Sequence, residues 1–256
     1  MAAFSFNFID TEMVITSRKN ESVKFFSSLK DAKFRKEAGG YLVEGEKQVF
    51  EAVSSGAGVK KIMGLPELVA KYSDSGIEVI EITEGISSFV SDSVTPQGIF
   101  AFVLFPEKKK VEGDVVLLDG VSDPGNVGTI IRTAAAVGVK TVCVLNGADP
   151  FSPKCVRSSM GGLNSVYACR VDFEEAVSLF SGRKTYVADM DGESVFGKRK
   201  KENFCLVIGN EAHGVSDEIK ACCDEVLSLP MRSTMESLNA GVSCSIILYE
   251  LLQDLI

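Results

Sequence analysis

The sequence predicts an α/β protein in two parts: a small α/β domain, then a mostly parallel sheet with helices on both faces. Three observations predict it. From Tyr41 to Phe105, short strand-like runs alternate with helix-like runs. At 115–119 the run VVLLD is apolar throughout, as in a strand covered on both faces. Between the two patterns, PEKKKVEG at 106–113 is polar with Pro and Gly at its ends, and reads as a linker. The expected organisation is a domain at 1–105, a linker at 106–113 and a second domain at 114–256.

Residues 15–40 carry Val23, Phe26, Leu29 and Lys30 at helical spacing, and predict one basic amphipathic helix that stops at Gly39-Gly40. YLVEGE is a strand candidate and KQVFEAVSSG a helix. Strands follow at VKKIMGL, IEVIEIT and IFAFVLF, alternating with helices at PELVAKYSDSG and EGISSFVSDS. In the second domain VVLLD leads into the helix TIIRTAAAVG, which closes at Gly138. Further strands are expected at TVCVLN, VYACRV, KTYVADM, FCLVIG and EVLSLP. The last helix, from about Ser237 to Leu255, should be the longest.

Composition narrows the function. Hydrophobic residues make up 45% of the 256, enough for a core. No apolar run reaches the ~18–20 residues of a membrane span. The first residues lack the basic and apolar regions of a signal peptide. A cytoplasmic protein with no membrane contact is expected. The 7 cysteines have no CxxC pair and read as reduced, mostly buried thiols. With 1 histidine, His213, multi-histidine metal sites are excluded, and no metal is expected. A net charge of −8 argues against indiscriminate nucleic-acid binding. It does not exclude a local basic face. Between Arg18 and Lys36 lie Arg18, Lys19, Lys24, Lys30, Lys33, Arg35 and Lys36, interleaved with Phe25, Phe26 and Phe34. Solvated surface charge and an RNA-binding face are both open readings of this cluster.

Three later segments share one design: apolar strand, Gly/Pro/Asn loop, helix start. In open α/β sheets, ligands collect at such strand ends. DGVSDPGNVGTIIRTAAAVG (119–138) offers Asn126 as a cap and places Arg132 about one turn into the expected helix. An Arg there opposes the helix macrodipole, so a phosphate contact is a better reason for it than helix stability. FCLVIGNEAHGVSDEI (204–219) offers Gly209 for close backbone approach to a flat ligand, Glu211 to orient a substrate group or hold Arg132, and Ser216 as a helix cap. His213 is open between general base and ordinary turn residue. LSLPMRSTMESLNAGVSCSIILYELLQDL (227–255) places Ser237, Leu238 and Asn239 at a helix start. Gly241 within the helix points to a close contact. Three such segments in order suggest one composite pocket. GxGxxG is absent, which counts against a nucleotide-dependent oxidoreductase.

These segments resemble the SpoU (TrmH-type) family of RNA 2′-O-methyltransferases. Asn126, Gly128 and Arg132 match its Asn-x-Gly-x-x-x-Arg motif, and Gly-Asn-Glu-Ala-His-Gly at 209–214 its second motif. Leu-Pro-Met at 229–231, Ser-Leu-Asn at 237–239 and LYE at 248–250 match the third. PKCVRSSMGG at 153–162 resembles the family segment after the second strand, and the region from Ile15 to Val103 resembles a ribosomal-protein-like RNA-binding domain. Two departures stand out: Ser233 where the family often has Gly, and Ala-Gly-Val-Ser after Asn239.

The resemblance implies a C-terminal trefoil knot that holds S-adenosylmethionine (SAM) through Gly209, Asn210, Leu229, Met231 and Leu238. It also implies a homodimer with the active site completed across the interface. The expected chemistry is methyl transfer to a ribose 2′-hydroxyl, in ribosomal RNA rather than transfer RNA, with no DNA partner. Arg132 would bind the phosphate beside the target ribose. Asn126 and Asn239 would hydrogen-bond the ribose or Arg132, Glu211 would orient Arg132, and Ser237 would support the loop. Arg18, Lys19, Lys33 and Arg35 would grip RNA phosphates. The rival is a non-catalytic RNA- or ribosome-binding protein of the same fold.

Overall fold

The computed structural model describes residues 14–232 and 237–254. The N-terminal part runs α1 (Glu21–Ser28), α2 (Ala32–Ala38), β1 (Gly40–Glu44), α3 (Glu46–Ser54), β2 (Val59–Gly64), α4 (Pro66–Val69), β3 (Glu78–Glu81), α5 (Glu84–Val90) and β4 (Ile99–Leu104). Its four strands pair in the order β1-β4-β2-β3, antiparallel except for β2 with β3.

The single helix expected over 15–40 is two. Asn20 caps α1 by accepting from Ser22 N–H and Val23 N–H, and the chain breaks at Leu29–Asp31. Asp31 then caps α2 by accepting from Lys33 N–H. An aspartate side chain satisfies helix-start donors better than it sits inside a helix, so it divides the segment. The predicted apolar spacing still holds: Val23, Phe26 and Leu29 are fully buried. Gly39 ends α2 in the left-handed region, as expected.

The C-terminal part runs β5 (Val115–Asp119), α6 (Pro124–Val137), β6 (Thr141–Leu145), α7 (Pro153–Ser159), β7 (Tyr167–Val171), α8 (Phe173–Ser178), β8 (Lys184–Ser194), β9 (Phe204–Gly209), α9 (Asp217–Lys220), β10 (Glu225–Ser228) and α10 (Ala240–Leu252). Its six strands lie in the order β10-β8-β9-β5-β6-β7 and every pair is parallel. The pleat of β5 explains its unbroken apolar run. Val116 and Leu118 enter the core beneath α6 and α10, while Val115 and Leu117 enter the opposite core beneath α8 and α9.

Two boundaries differ from expectation. α6 begins at Pro124, five residues before Thr129, because Asp123 caps it and Pro124 is preset for the first turn. α10 begins only at Ala240, so α6 with 14 residues, not α10 with 13, is the longest helix among the described residues.

The two parts share a core. Tyr41 and Val43 of β1 and Ile99 and Val103 of β4 pack with Val156 of α7, and with Phe151 and Leu163. The Phe151 ring lies tilted against Tyr41, with centroids 5.0 Å apart, and against Phe105, at 4.7 Å. Arg35, expected to reach RNA, closes this junction instead. It is 3% exposed; Nη1 donates to the carbonyls of Leu29 and Lys30, and Nη2 to Asp149 at 2.5 Å. The α1–α2 break frees those two carbonyls, and a guanidinium satisfies them together with a carboxylate. Arg35 is a structural residue and leaves the proposed RNA face.

Candidate functional site

Parallel strands end together, so the loops after β5, β8, β9 and β10 converge on one edge of the sheet. Between β5 and β9 the chain order reverses, the place where open sheets form a crevice. A cavity of about 370 Å³ lies beside this point. Its walls include Gly209, Asn210, Glu211, His213, Leu229, Met231, Ser237 and Leu238. All five residues expected to touch a cofactor therefore line one space. Sequence reasoning missed Asp189 and Met190, which close the cavity from the middle of β8, just past its pairing with β9. The strand-end rule applied to KTYVADM would have found them.

Several site residues act differently from expectation. Gly209 makes a close approach, but to its own loop. A Cβ there would lie 2.1 Å from the Gly214 carbonyl carbon and 2.3 Å from Val215 N, so only glycine lets β9 meet the returning chain. Asn210 builds that return. Its backbone pairs reciprocally with Gly214, its Nδ2 donates to Gly120 O, and its Oδ1 accepts from Ala212 N–H and His213 N–H. Its polar atoms are spent on the loop, and it shapes the cavity rather than offering a side chain to a ligand. Ser216 precedes α9 but makes no side-chain cap. Its Oγ donates to the buried Asp119 at 2.6 Å, and its N–H to the same oxygen at 2.8 Å.

The three motif segments meet in a chain of side-chain amides. Val242 N–H donates to Asn239 Oδ1, Asn239 Nδ2 to Asn126 Oδ1 at 2.8 Å, and Asn126 Nδ2 to Glu211 Oε1 at 2.8 Å. The two ends fix its direction: a backbone N–H only donates and an ionised carboxylate only accepts, so each amide has one satisfying orientation. Asn126 is 9% exposed, which makes that satisfaction matter. Partial burial pushes the Glu211 carboxyl up, but the hydrogen bonds from Asn126 and Ser122 outweigh it and hold it below the usual glutamate range.

Arg132 stands apart. It lies on the ninth residue of α6, more than two turns in, because the helix starts earlier than predicted. It is exposed, does not line the cavity and makes no hydrogen bond or ion pair among the described residues. The expected Glu211–Arg132 contact is absent, since Glu211 is engaged with Asn126 and Ser122. Gly241 does mark a close contact, but an internal one. A Cβ there would meet Thr129 of α6 at 3.2 Å, and Ser245 bonds Thr133. Gly241 and Ser245 of α10 therefore face α6 of their own chain, while Ala240 and Ser243 line the cavity. Ser233 lies outside the described residues.

The cavity suits SAM. Its size falls in the range of small-molecule sites. Leu227, Leu229, Leu238 and Ile247 offer apolar walls for a purine. Among the described lining residues the charged ones are Asp189, which is paired with Lys220, and Glu211, with no Lys or Arg, so no cation of the lining opposes a sulfonium.

On the N-terminal part, Arg18, Lys19 and Lys33 are exposed. Arg18 lies over the Phe89 ring at 5.0 Å.

Residues 114–249 match the model of the SpoU rRNA Methylase family, and residues 20–101 that of the MRM3-like substrate binding domain. The chain is 34% identical over 243 residues to a Bacillus subtilis 23S rRNA (guanosine(2553)-2′-O)-methyltransferase, covering 93% of this chain and 98% of that one. It is 32% identical to the 23S rRNA (uridine(2479)-2′-O)-methyltransferase of Streptomyces viridochromogenes, covering 92% and 90%. Among solved structures, the SpoU methyltransferase AviRb from Streptomyces viridochromogenes in complex with AdoMet superposes with a TM-score of 0.84 at 28% identity, over 92% of this chain and 98% of that one. An AdoMet-bound rRNA methyltransferase from Sinorhizobium meliloti gives a TM-score of 0.84 at 28% identity, covering 95% and 98%. By its family model and its relatives, this chain belongs to the SpoU rRNA methylase family.

Proposed function

We propose that this protein transfers a methyl group from SAM to a ribose 2′-hydroxyl in ribosomal RNA. The observation that carries the reading is the amide chain Asn239–Asn126–Glu211, which draws all three motif segments to the rim of a cation-compatible cavity. SAM supplies an electrophilic methyl group when bound. The chain's own residues must hold the ribose oxygen in line with it and help remove the 2′-proton; alignment alone contributes several kcal/mol. Gly209, Leu229, Met231 and Leu238 would form the cofactor walls, with Asn210 holding the loop. Ser237 would support the loop before α10. Asn126 and Asn239 would fix the rim against which the ribose rests.

Arg132 would bind the phosphate next to the target ribose. Its exposed place away from the cavity of its own chain supports a homodimer in which Arg132 of one copy completes the site of the other. Exposed Val242 and Tyr249 on α10 supply apolar surface for that contact. The trefoil knot is part of the same reading: the β9–α9 loop and the segment before α10 line one cavity. Residues 1–105 would be the RNA substrate-binding domain and 106–113 the linker, with Arg18, Lys19 and Lys33 on phosphates. The reading implies a cytoplasmic protein.

The test is methyl transfer from radiolabelled SAM to ribosomal RNA from cells lacking the gene, followed by mapping of 2′-O-methyl positions. One labelled nucleotide is expected. A protein that binds SAM and RNA but labels nothing would instead be the non-catalytic binder.

A further inference from the structure

Helix α7 lies between the two domains and uses its residues in two ways. Cys155 enters the core beneath α6, and Val156 enters the core of the N-terminal part. The other side carries Lys154 and Arg157, three residues apart and so neighbours on one face, with side chains 54% and 42% exposed. Neither belongs to the three motif segments or to the N-terminal basic cluster.

Their contacts trace a line across the molecule. Arg18 covers Phe89. Lys30 ties down the end of the same helix, α5, and the loop it opens into by donating to the carbonyls of Phe89 and Ser91. Asp92, next in that loop, faces Arg157 at 3.9 Å from the other domain. One turn back on α7, Lys154 pairs with Asp123, which caps α6 three residues before Asn126. A basic side chain, exposed at Arg18 and Lys154 and half-buried at Lys30 and Arg157, is thus met at each step from the Arg18–Phe89 platform to the amide chain at the cavity rim. The Arg35–Asp149 pair and the shared aromatic core hold the two domains so that this line is continuous.

We propose that the outer face of α7, through Lys154 and Arg157, is an RNA-phosphate contact surface that carries the substrate strand from the N-terminal domain to the methyl-transfer cavity. The proposal rests on the reading of the protein as an RNA methyltransferase. Charge complementarity and continuity with the Arg18–Lys33 face identify the occupant. Asp92 and Asp123 neutralise the two cations while RNA is absent, and phosphates take over from them on binding. The 3.9 Å separation from Asp92 leaves Arg157 the easier of the two to recruit.

The test uses the full chain and a transcript of the source organism's 23S ribosomal RNA. Affinity is measured by filter binding across a salt series, beside a SAM titration. Lys154→Ala/Arg157→Ala should weaken RNA binding about tenfold at low salt and reduce the salt slope by about 1.4, since two phosphate contacts are lost and each on a single strand contributes about 0.7. SAM affinity should stay within twofold. Arg157→Lys should keep most of the RNA affinity. Asp92→Asn, which unmasks Arg157, should raise it severalfold, an effect that a purely structural role for the Asp92–Arg157 pair would not produce. An unchanged affinity and salt slope in the double variant would overturn the proposal, as would a loss with Asp92→Asn. A wild-type protein that binds this RNA but never methylates it would sink the enzymatic reading while leaving the α7 surface standing.

Discussion

Arg35 and Arg132 show how differently two regions can treat the same side chain. Both are helical arginines that the sequence ties to RNA. In the α1–α2 region the chain breaks, exposes two carbonyls, and Arg35 is drawn inward to satisfy them and Asp149. Along α6 the helix is uninterrupted, its backbone acceptors are occupied within the helix, and Arg132 is left facing solvent. An arginine is recruited for structure where unpaired backbone acceptors lie within its reach, and remains available for a ligand where there are none.

That contrast breaks most sharply at Arg132. Arg132→Ala should lower methyl transfer by about 100-fold or more, the scale for losing one preorganised charged contact to a reacting group. Its unfolding midpoint in urea should match wild type, because Arg132 touches no described acceptor. Equal activity in the variant would remove Arg132 from the reaction. The opposite pattern is expected at the junction. Asp149→Ala leaves the Arg35 charge buried without its carboxylate and should cost about 2–3 kcal/mol of stability, below the full range for buried pairs because Asp149 is 23% exposed. RNA affinity per folded molecule should change little. A variant as stable as wild type with weakened RNA binding would return Arg35 to the RNA face.

The smallest effect sharpens the picture at Glu211. Its carboxyl is held below the usual glutamate range, so its stabilising contribution is complete above that range and is lost as pH falls through the lowered value. Glu211→Gln should therefore cost about 1 kcal/mol at neutral pH. The gap to wild type should close in acid. A gap that widens on acidification would mean that the carboxyl is raised instead.

Much of the site was legible because parallel-sheet geometry sends strand ends to one edge. Gly209 and Leu238 stand at strand and helix ends that this rule groups, whereas Leu229 and Met231 rest on the family resemblance. What remained hidden depended on partners distant in sequence. Nothing near Arg35 announces Asp149, 114 residues away. Local pattern favoured one helix over 15–40, although Asp31 carried the cap signal that divides it. Glu211 was expected to hold a charged partner, and the structure pairs it with a neutral amide instead. Spacing within a motif says that residues converge. It does not say which atom meets which.

The amide chain carries one further consequence, for the ageing of the protein. Hydrolytic loss of ammonia turns asparagine into aspartate with almost no change of shape. At position 126 that change would replace the hydrogen given to Glu211 with a second negative oxygen facing the first. At position 239 it would leave Asn126 Oδ1 facing another acceptor while the cap on Val242 survives. A deamidated molecule would still fold, still cap its helix and differ in mass by about one dalton, yet its three motif segments would no longer be joined.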